Sequence, residues 1–274
     1  MTVEAIVDDR YIMATGKAGA ARLALLDQVY GPDAERIMTA IGIPRGRRVA
    51  DIGCGTGNTT CWFANQVGPE GRITAVDISA DQLAVAQSSA EAHDLRNIHF
   101  VHASAYNTGL PRDHFDVVHC RLLLCHLVHP LDALREMAAM AKPGGLIICF
   151  DLDITGLFSV PATDCYVRLQ ALFASHDRLR GIDGALGLNL PQLFRQVGLV
   201  EPDIAFIHPV HLRGEGKRIA EYSFFEASPH VVRSGLTTDA ELKRLAVALA
   251  AVAADETIMV AQSRMPAAWA RKPP

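Results

Sequence analysis

The stretch most able to do chemistry is Asp51-Ile52-Gly53-Cys54-Gly55-Thr56-Gly57-Asn58. Glycines at alternate positions let a backbone turn sharply, adopt dihedrals that other residues resist, and approach a ligand closely. Twenty residues beyond Gly57, Asp77 closes an apolar run at 73–76. A carboxylate there accepts hydrogen bonds from both hydroxyls of a ribose and repels a 2′-phosphate. Glycine loop, strand and acid, in that order, describe a nucleoside site at the carboxyl ends of parallel strands. The dinucleotide fingerprint is G-x-G-x-x-G with pyrophosphate at a helix N-terminus. Here the spacing is G-x-G-x-G, Asp51 stands two residues before it, and no Lys or Arg occurs between Val49 and Gly71. A cofactor with an ammonium group and no phosphate suits an acid-led loop better. S-adenosylmethionine is such a molecule.

These residues need strands to hold them. Residues 48–52 read as a buried strand, 58–67 as the helix after it and 72–76 as a second strand. Ser79 followed by Gln82 is a capping-box start for a helix to about residue 93. Residues 97–101 and 115–120 are two more strands; Pro130 opens a helix to about 141, and Lys142-Pro143-Gly144-Gly145 stops it before the apolar strand 146–150. Strands alternating with helices of this length give an α/β fold: a Rossmann-like, doubly wound, mostly parallel sheet with helices on both faces. Before it, residues 17–30 place Ala21, Leu25, Leu26 and Val29 at helical spacing, and a second short helix is expected to start at Gly31-Pro32. Beyond 153 the expectations are a helix over 162–179, a short helix capped by Asn189, helices over 215–232 and 238–254, and late strands at 200–208 and 257–264. The organisation expected is a helical N-terminal arm or lid over 1–45 and a core over 46–274, with inserts at 154–186 and 209–237 covering the substrate.

Composition narrows the function classes. Of 274 residues, 50% are hydrophobic and 20% charged, which excludes a disordered chain. A net charge of −4 argues against a nucleic-acid partner, which needs a basic surface. The start is acidic where a signal peptide is basic and then apolar, and the longest apolar run, 245–254, is about half a bilayer span. Cys54, Cys61, Cys120, Cys125, Cys149 and Cys165 form no CxxC pair, so buried reduced thiols and a cytoplasmic location are expected, with no membrane partner. The sequence holds no phosphate-binding GxxxxGK loop, no HExxH and no GxSxG. His114, His119, His126 and His129 do not share one helical face, and no metal is expected.

With those residues in view, D-I-G-C-G-T-G-N-T, V-D-I-S, F-D-V-V-H-C-R, H-L-V-H-P-L-D-A-L-R-E-M and K-P-G-G resemble the class I S-adenosylmethionine-dependent methyltransferases. The subgroup resembled includes small-molecule methyltransferases of quinone and natural-product pathways. The match is close over about 45–152 and loose elsewhere. The resemblance implies a seven-stranded sheet with an antiparallel last strand. It implies that Gly53, Gly55 and Gly57 lie under the methionine portion, with Asp51 organising the loop, and that Asp77 binds the ribose with Ile78 against the adenine. Ser104, followed by Ala105, occupies a slot that is usually an aspartate facing the adenine amine. Cys120 and Arg121 would border the methionine.

Methyl transfer is an in-line displacement in which the protein chiefly holds the nucleophile and the methyl about 3–3.5 Å apart. A base is needed only if the acceptor must lose a proton early; His126, six residues beyond the fourth strand, is the candidate base or orienter. Tyr11, in the arm, is the candidate lid contact. His129 is expected to cap the helix at Pro130, and Asp151 and Asp153 share one side of the fifth strand's end. The leading expectation is a methyltransferase acting on oxygen, nitrogen or carbon of a small molecule, such as a secondary metabolite. Two rivals stay open: a nicotinamide-dependent oxidoreductase, and a non-methylating cyclase or regulatory protein that binds S-adenosylmethionine. The acceptor would be chosen by segments 1–20, 154–186 and 209–237. Whether the apolar stretch 246–254 is core or a contact in a homo-oligomer is undetermined at this stage.

Overall fold

A computed structural model describes Met13 and residues 16–274. The elements in chain order are α1 (Gly16–Ile41), β1 (Arg48–Ile52), α2 (Asn58–Val67), β2 (Arg72–Asp77), α3 (Ala80–Ala92), β3 (Ile98–His102), β4 (Phe115–Arg121), α4 (Pro130–Met140) and β5 (Ala141–Phe150). They continue with β6 (Phe158–Val160), α5 (Asp164–Arg180), α6 (Leu190–Gln196), β7 (Asp203–Ile207), β8 (Val210–His211), α7 (Ile219–Arg233), α8 (Asp239–Ala254), β9 (Met259–Ala261) and β10 (Met265–Arg271).

Among the described residues, seven strands form one sheet in the order β3-β2-β1-β4-β5-β10-β7, with β10 antiparallel to both its neighbours. The pairs of β1 with β2 and β4, of β2 with β3 and of β4 with β5 are parallel. Val49, Ala50 and Ile52 are wholly buried, as a strand covered on both faces requires. The chain winds outward through β2 and β3, then returns to place β4 on the other side of β1. The carboxyl ends of β1 and β4 therefore flank a topological switch point, where this class of sheet opens a crevice. The glycine loop leaves one end, and the turn carrying His126 leaves the other.

Several local expectations give way to packing. Helix α1 runs unbroken through Gly31-Pro32. Proline costs a helix one hydrogen bond, but Tyr30, Ala34 and Met38 bury together with Phe63, Val117 and Ile148 against the sheet, and that burial outweighs it. The second half of the expected arm is thus part of the core, and Tyr30 Oη donates to the Ser263 carbonyl at 2.8 Å. Asn189 does not cap α6 with its side chain; a 3-10 turn over Leu186–Asn189 feeds straight into the helix, and Asn189 Nδ2 donates to Asp183 Oδ2 instead. His129 stands at the N-cap of α4 but makes no side-chain cap, while its backbone N–H donates to Tyr106 Oη. Of the expected strand over 257–264 only Met259–Ala261 forms, as β9 in a small sheet β6-β9-β8, and the strand inside the large sheet, β10, begins beyond it at Met265. Met265-Pro266-Ala267-Ala268 lacks β-branched residues, so burial rather than propensity makes β10 a strand.

Helices α5, α7 and α8 share a second apolar cluster with the small sheet, centred on Leu169, Phe224, Leu249 and Val260. The apolar stretch of α8 turns Leu245, Leu249 and Val252 into that cluster and leaves Val247 72% exposed. This layer extends beyond the expected inserts to take in α8 and β9. Among the described residues, no helix is long and apolar enough to cross a membrane.

Gly57 shows how the glycine loop is tied to packing. Its φ is +83°, and a Cβ there would lie 2.8 Å from Ala86 Cβ on α3. Gly57→Val combines left-handed strain with overpacking and is expected to destabilise the fold by about 2–4 kcal/mol. A urea midpoint within error of wild type would show that α2 and α3 can separate freely.

Candidate functional site

At the carboxyl ends of β1, β2 and β4 lies a cavity of about 900 Å³, closed on its other side by residues of α1, α5 and α7. That is at the upper end of small-molecule sites, which run to about 1,000 Å³. Gly53 and Gly55 line it with φ of +69° and +54°. The Gly53 and Cys54 N–H groups both donate to the Val76 carbonyl, which fastens the loop to β2. A Cβ on Gly53 would lie 2.8 Å from Leu123 Cδ1 in the turn after β4, so besides the left-handed strain a larger residue would have to displace that side chain.

Two carboxylates organise the loop. Asp51 is 2% exposed; its Oδ1 faces His119 Nδ1 at 2.8 Å and its Oδ2 accepts from the Thr60 hydroxyl. Asp77 Oδ2 accepts from the Gly55 N–H and Oδ1 from the Ser79 N–H, both at 2.9 Å. Burial raises the Asp77 pKa above the usual carboxylate range, and the two backbone N–H groups pull it partly back. Ile78 beside it is 63% exposed and lines the cavity, with Ser104 and Ala105 on the next wall. The Ser104 hydroxyl already accepts from the Tyr106 N–H at 3.2 Å, so its lone pairs serve its own loop as well.

Arg121 lines the cavity and pairs through Nη2 with Asp27 Oδ1 at 2.6 Å, tying β4 to α1. Cys120 does not border the cavity. Successive strand residues face opposite sides, and its thiol is wholly buried against Cys149 on the neighbouring strand. Gly57 also stands back from the cavity, packed on α3. Tyr11 lies outside the described residues.

His126 lines the cavity from a 3-10 turn over Leu124–His126. It is half-buried, and desolvation, reinforced by the nearby Arg22 and Arg180 guanidinium groups, pushes its pKa down to about 3. The turn is pinned from behind by Asp151, whose Oδ2 accepts from the Cys125 N–H at 3.2 Å and whose Oδ1 accepts from the Leu152 N–H at 2.9 Å. Asp153 turns away to Arg264 at 2.6 Å and caps the turn at Thr155. Neither aspartate lines the cavity.

Burial raises the Asp151 pKa to about 6. Against an unfolded value near 3.9, the native state binds the proton more tightly. The stability this group contributes is complete below about pH 4 and is lost as pH rises through 6. Across that window wild type is expected to lose up to about 3 kcal/mol relative to Asp151→Asn, read as diverging urea midpoints. Parallel midpoints would place the ionisation elsewhere.

Arg22 and His119 line the cavity without having stood out in the sequence as binding residues, while Phe173 and Arg180 line it from the insert 154–186 expected to cover the substrate. His119 pairs with Asp51 because the two are register partners on adjacent strands. That neighbourhood becomes visible only once the order of β1 and β4 is known. Its Nε2 is buried with no hydrogen-bond partner. Among the described residues no three His, Cys, Asp or Glu side chains group as a metal site.

Comparison with known proteins agrees with this geometry. Residues 49–145 match the family described as a methyltransferase domain. A demethylmenaquinone methyltransferase of Geobacillus stearothermophilus is 30% identical over 122 residues, 44% of this chain and 52% of that protein. The chain thus spans about half the length of the curated relatives it matches. A methyltransferase structure from Bacillus halodurans superposes with a TM-score of 0.61 at 18% identity, over 88% of this chain and 99% of that one. The cyclase SpnF superposes with a TM-score of 0.54 at 18% identity, over 95% of this chain and 98% of that one. Likeness at these identities shows the fold alone.

Proposed function

We propose that this chain, whose residues 49–145 are a methyltransferase domain of the class I, S-adenosylmethionine-dependent kind, moves a methyl group to an oxygen, nitrogen or carbon nucleophile of a small molecule. The observation that carries the reading is that the glycine loop, Asp77 and the His126 turn open onto one cavity of about 900 Å³, with room for a cofactor and an acceptor together.

S-adenosylmethionine supplies, when bound, a methyl group activated by its sulfonium. What remains for the protein is orientation and exclusion of water. Each Asp77 oxygen spends one lone pair on a backbone N–H, and the others are left for ribose hydroxyls. Ile78 offers the adenine an apolar face. Asp51 faces the His119 imidazole and accepts from the Thr60 hydroxyl, which holds the root of the glycine loop in place. His126, held neutral and weakly basic, positions the acceptor by hydrogen bonding rather than taking its proton. In this reading α5 and α7 form the substrate cover. Relatives named demethylmenaquinone methyltransferases make quinone-like rings the first acceptors to try.

Calorimetric titration with S-adenosylmethionine, S-adenosylhomocysteine and NAD, followed by labelled methyl transfer to an acceptor panel, tests the reading. Micromolar binding of the first two, with transfer, is the expected result. Binding without transfer to any acceptor would favour a cyclase or a regulatory binder. Binding of NAD alone would make the chain an oxidoreductase.

A further inference from the structure

Two ionisable side chains near the end of α5 stand apart from the cofactor loop. His176 is 5% exposed and lines the cavity, and among the described residues neither of its ring nitrogens is hydrogen-bonded. Burying an imidazole without a partner costs stability. Its ion-pair neighbour is Asp177, with Oδ1 at 3.8 Å from Nδ1, an electrostatic contact rather than a hydrogen bond. The Asp177 carboxylate likewise accepts no hydrogen bond from a described residue, although its side chain is only 16% exposed. Successive helix residues point about 100° apart, so the two side chains face different spaces. His176 borders the main cavity alone, whereas Asp177 also borders a second cavity of about 530 Å³. Asp177, Ile154, Ile182 and Gly184 line both and form the partition between them. The outer cavity reaches solvent past the exposed Val167, Ala171, Arg178 and Asp183. Gly184 makes room for the carboxylate: its φ lies outside the left-handed region, yet a Cβ there would fall on Asp177 Oδ2.

Resting on the methyltransferase reading, we propose that the acceptor presents a hydroxyl on an apolar body, that His176 takes the hydroxyl proton, and that Asp177 passes it out through the second cavity. A neutral amine already carries a free lone pair, whereas a hydroxyl oxygen is a weak nucleophile until its proton leaves. A base built into the wall therefore serves a hydroxyl acceptor. With Nδ1 on the Asp177 side, Nε2 is the nitrogen left for the acceptor. The O–H bond breaks as an N–H bond forms on His176. The oxygen's electron pair makes the new bond to the methyl carbon, and the pair of the broken carbon–sulfur bond stays with the departing thioether. The Asp177 carboxylate stabilises the imidazolium as it forms, then takes the Nδ1 proton and releases it to water in the second cavity. From the other elements, Arg22 on α1 and His126 in the turn after β4 line the same cavity, with Arg180 one turn on along α5. Leu26, Phe173 and Ile182 supply the apolar surface for the acceptor's body.

The test uses 4-nitrophenol, whose ionised form absorbs at longer wavelength than the neutral one. It is titrated into the full chain alone and with saturating S-adenosylhomocysteine, and the spectrum of the bound probe is followed with pH. On wild type the bound probe is expected to ionise about tenfold more readily than on His176→Gln, a shift of about one pH unit. Asp177→Asn and Gly184→Ala are expected to give part of the same shift, the second by pushing the carboxylate aside. S-adenosylhomocysteine affinity is expected to stay unchanged in all three. If His176→Gln fails to fold, the spectra on Asp177→Asn and Gly184→Ala still decide. The same ionisation on wild type and every folded variant overturns the proposal, as does no binding of the probe at millimolar concentration. A response to His176→Gln with none to Asp177→Asn overturns the exit route. Failure of S-adenosylhomocysteine to bind while the probe's ionisation still depends on His176 would sink the methyltransferase reading and leave the proton-accepting pair standing.

Discussion

Asp77→Ala is expected to weaken S-adenosylhomocysteine binding by about 10- to 150-fold, the equivalent of roughly 1.5–3 kcal/mol for hydrogen bonds to a charged partner. The carboxylate sits at the end of β2 with both oxygens anchored by the Gly55 and Ser79 N–H groups. It is therefore held in place before any ligand arrives, and little ordering cost offsets its bonds to ribose. Stability should change far less than affinity. The raised pKa of Asp77 shows that burial already penalises its charge in the folded state, and removing it relieves that penalty while freeing two backbone N–H groups. Calorimetry on the variant, beside a thermal melt, separates the two effects. Unchanged affinity would mean that the ribose lies elsewhere and that Asp77 only braces the glycine loop.

The second large effect is at Asp51. Asp51→Ala is expected to destabilise the fold by about 3 kcal/mol, because His119 and Thr60, each wholly buried, lose their partner at once. In a chain of this size that corresponds to a melting point lower by roughly 6–12 °C. Asp51→Asn should cost less, since an amide can still face the Thr60 hydroxyl and the imidazole can change tautomer to accept from it. Adding His119→Phe to Asp51→Ala should recover part of the loss by removing the stranded ring nitrogen. If Ala and Asn variants melt together, the Asp51–His119 contact contributes nothing and the loop is held by its backbone alone.

What could be read before the fold was known is what is encoded locally. Glycine at alternate positions after an apolar run specifies dihedrals, and Gly53, Gly55 and Gly57 all adopt positive φ. The N-cap bonds at Ser79 and Thr238, in which the side chain accepts from the backbone N–H three residues on, both form. The return bond of a full capping box does not: the Ser79 N–H donates to Asp77 Oδ1, and the Glu241 carboxylate accepts from Arg168 and Thr237. Alternation of strands and helices between 48 and 150 announced the parallel half of the sheet, because the central strands there are short and largely apolar, even though the edge strand β3 alternates apolar residues with His99 and His102. Asp77 was legible for the same reason: its place depends on ending one strand.

Tertiary structure alone decided the partners of those residues. His119 meets Asp51 only because β4 lies beside β1, and strand order is a property of the whole sheet. Cys120 is one residue away on the same strand, yet the pleat turns it from the cavity into the core. Helix α1 passes through Pro32 because the sheet rewards burial of Tyr30 and Met38 on one continuous face. The antiparallel β10 has little strand propensity and is made by neighbours on both sides. Arg22 and Arg180 gather from α1 and α5, 158 positions apart, a juxtaposition that only the packed layers create. Local dihedral and capping preferences act over a few residues and so are written in the sequence, whereas a cavity is the meeting of surfaces that no short stretch of chain contains.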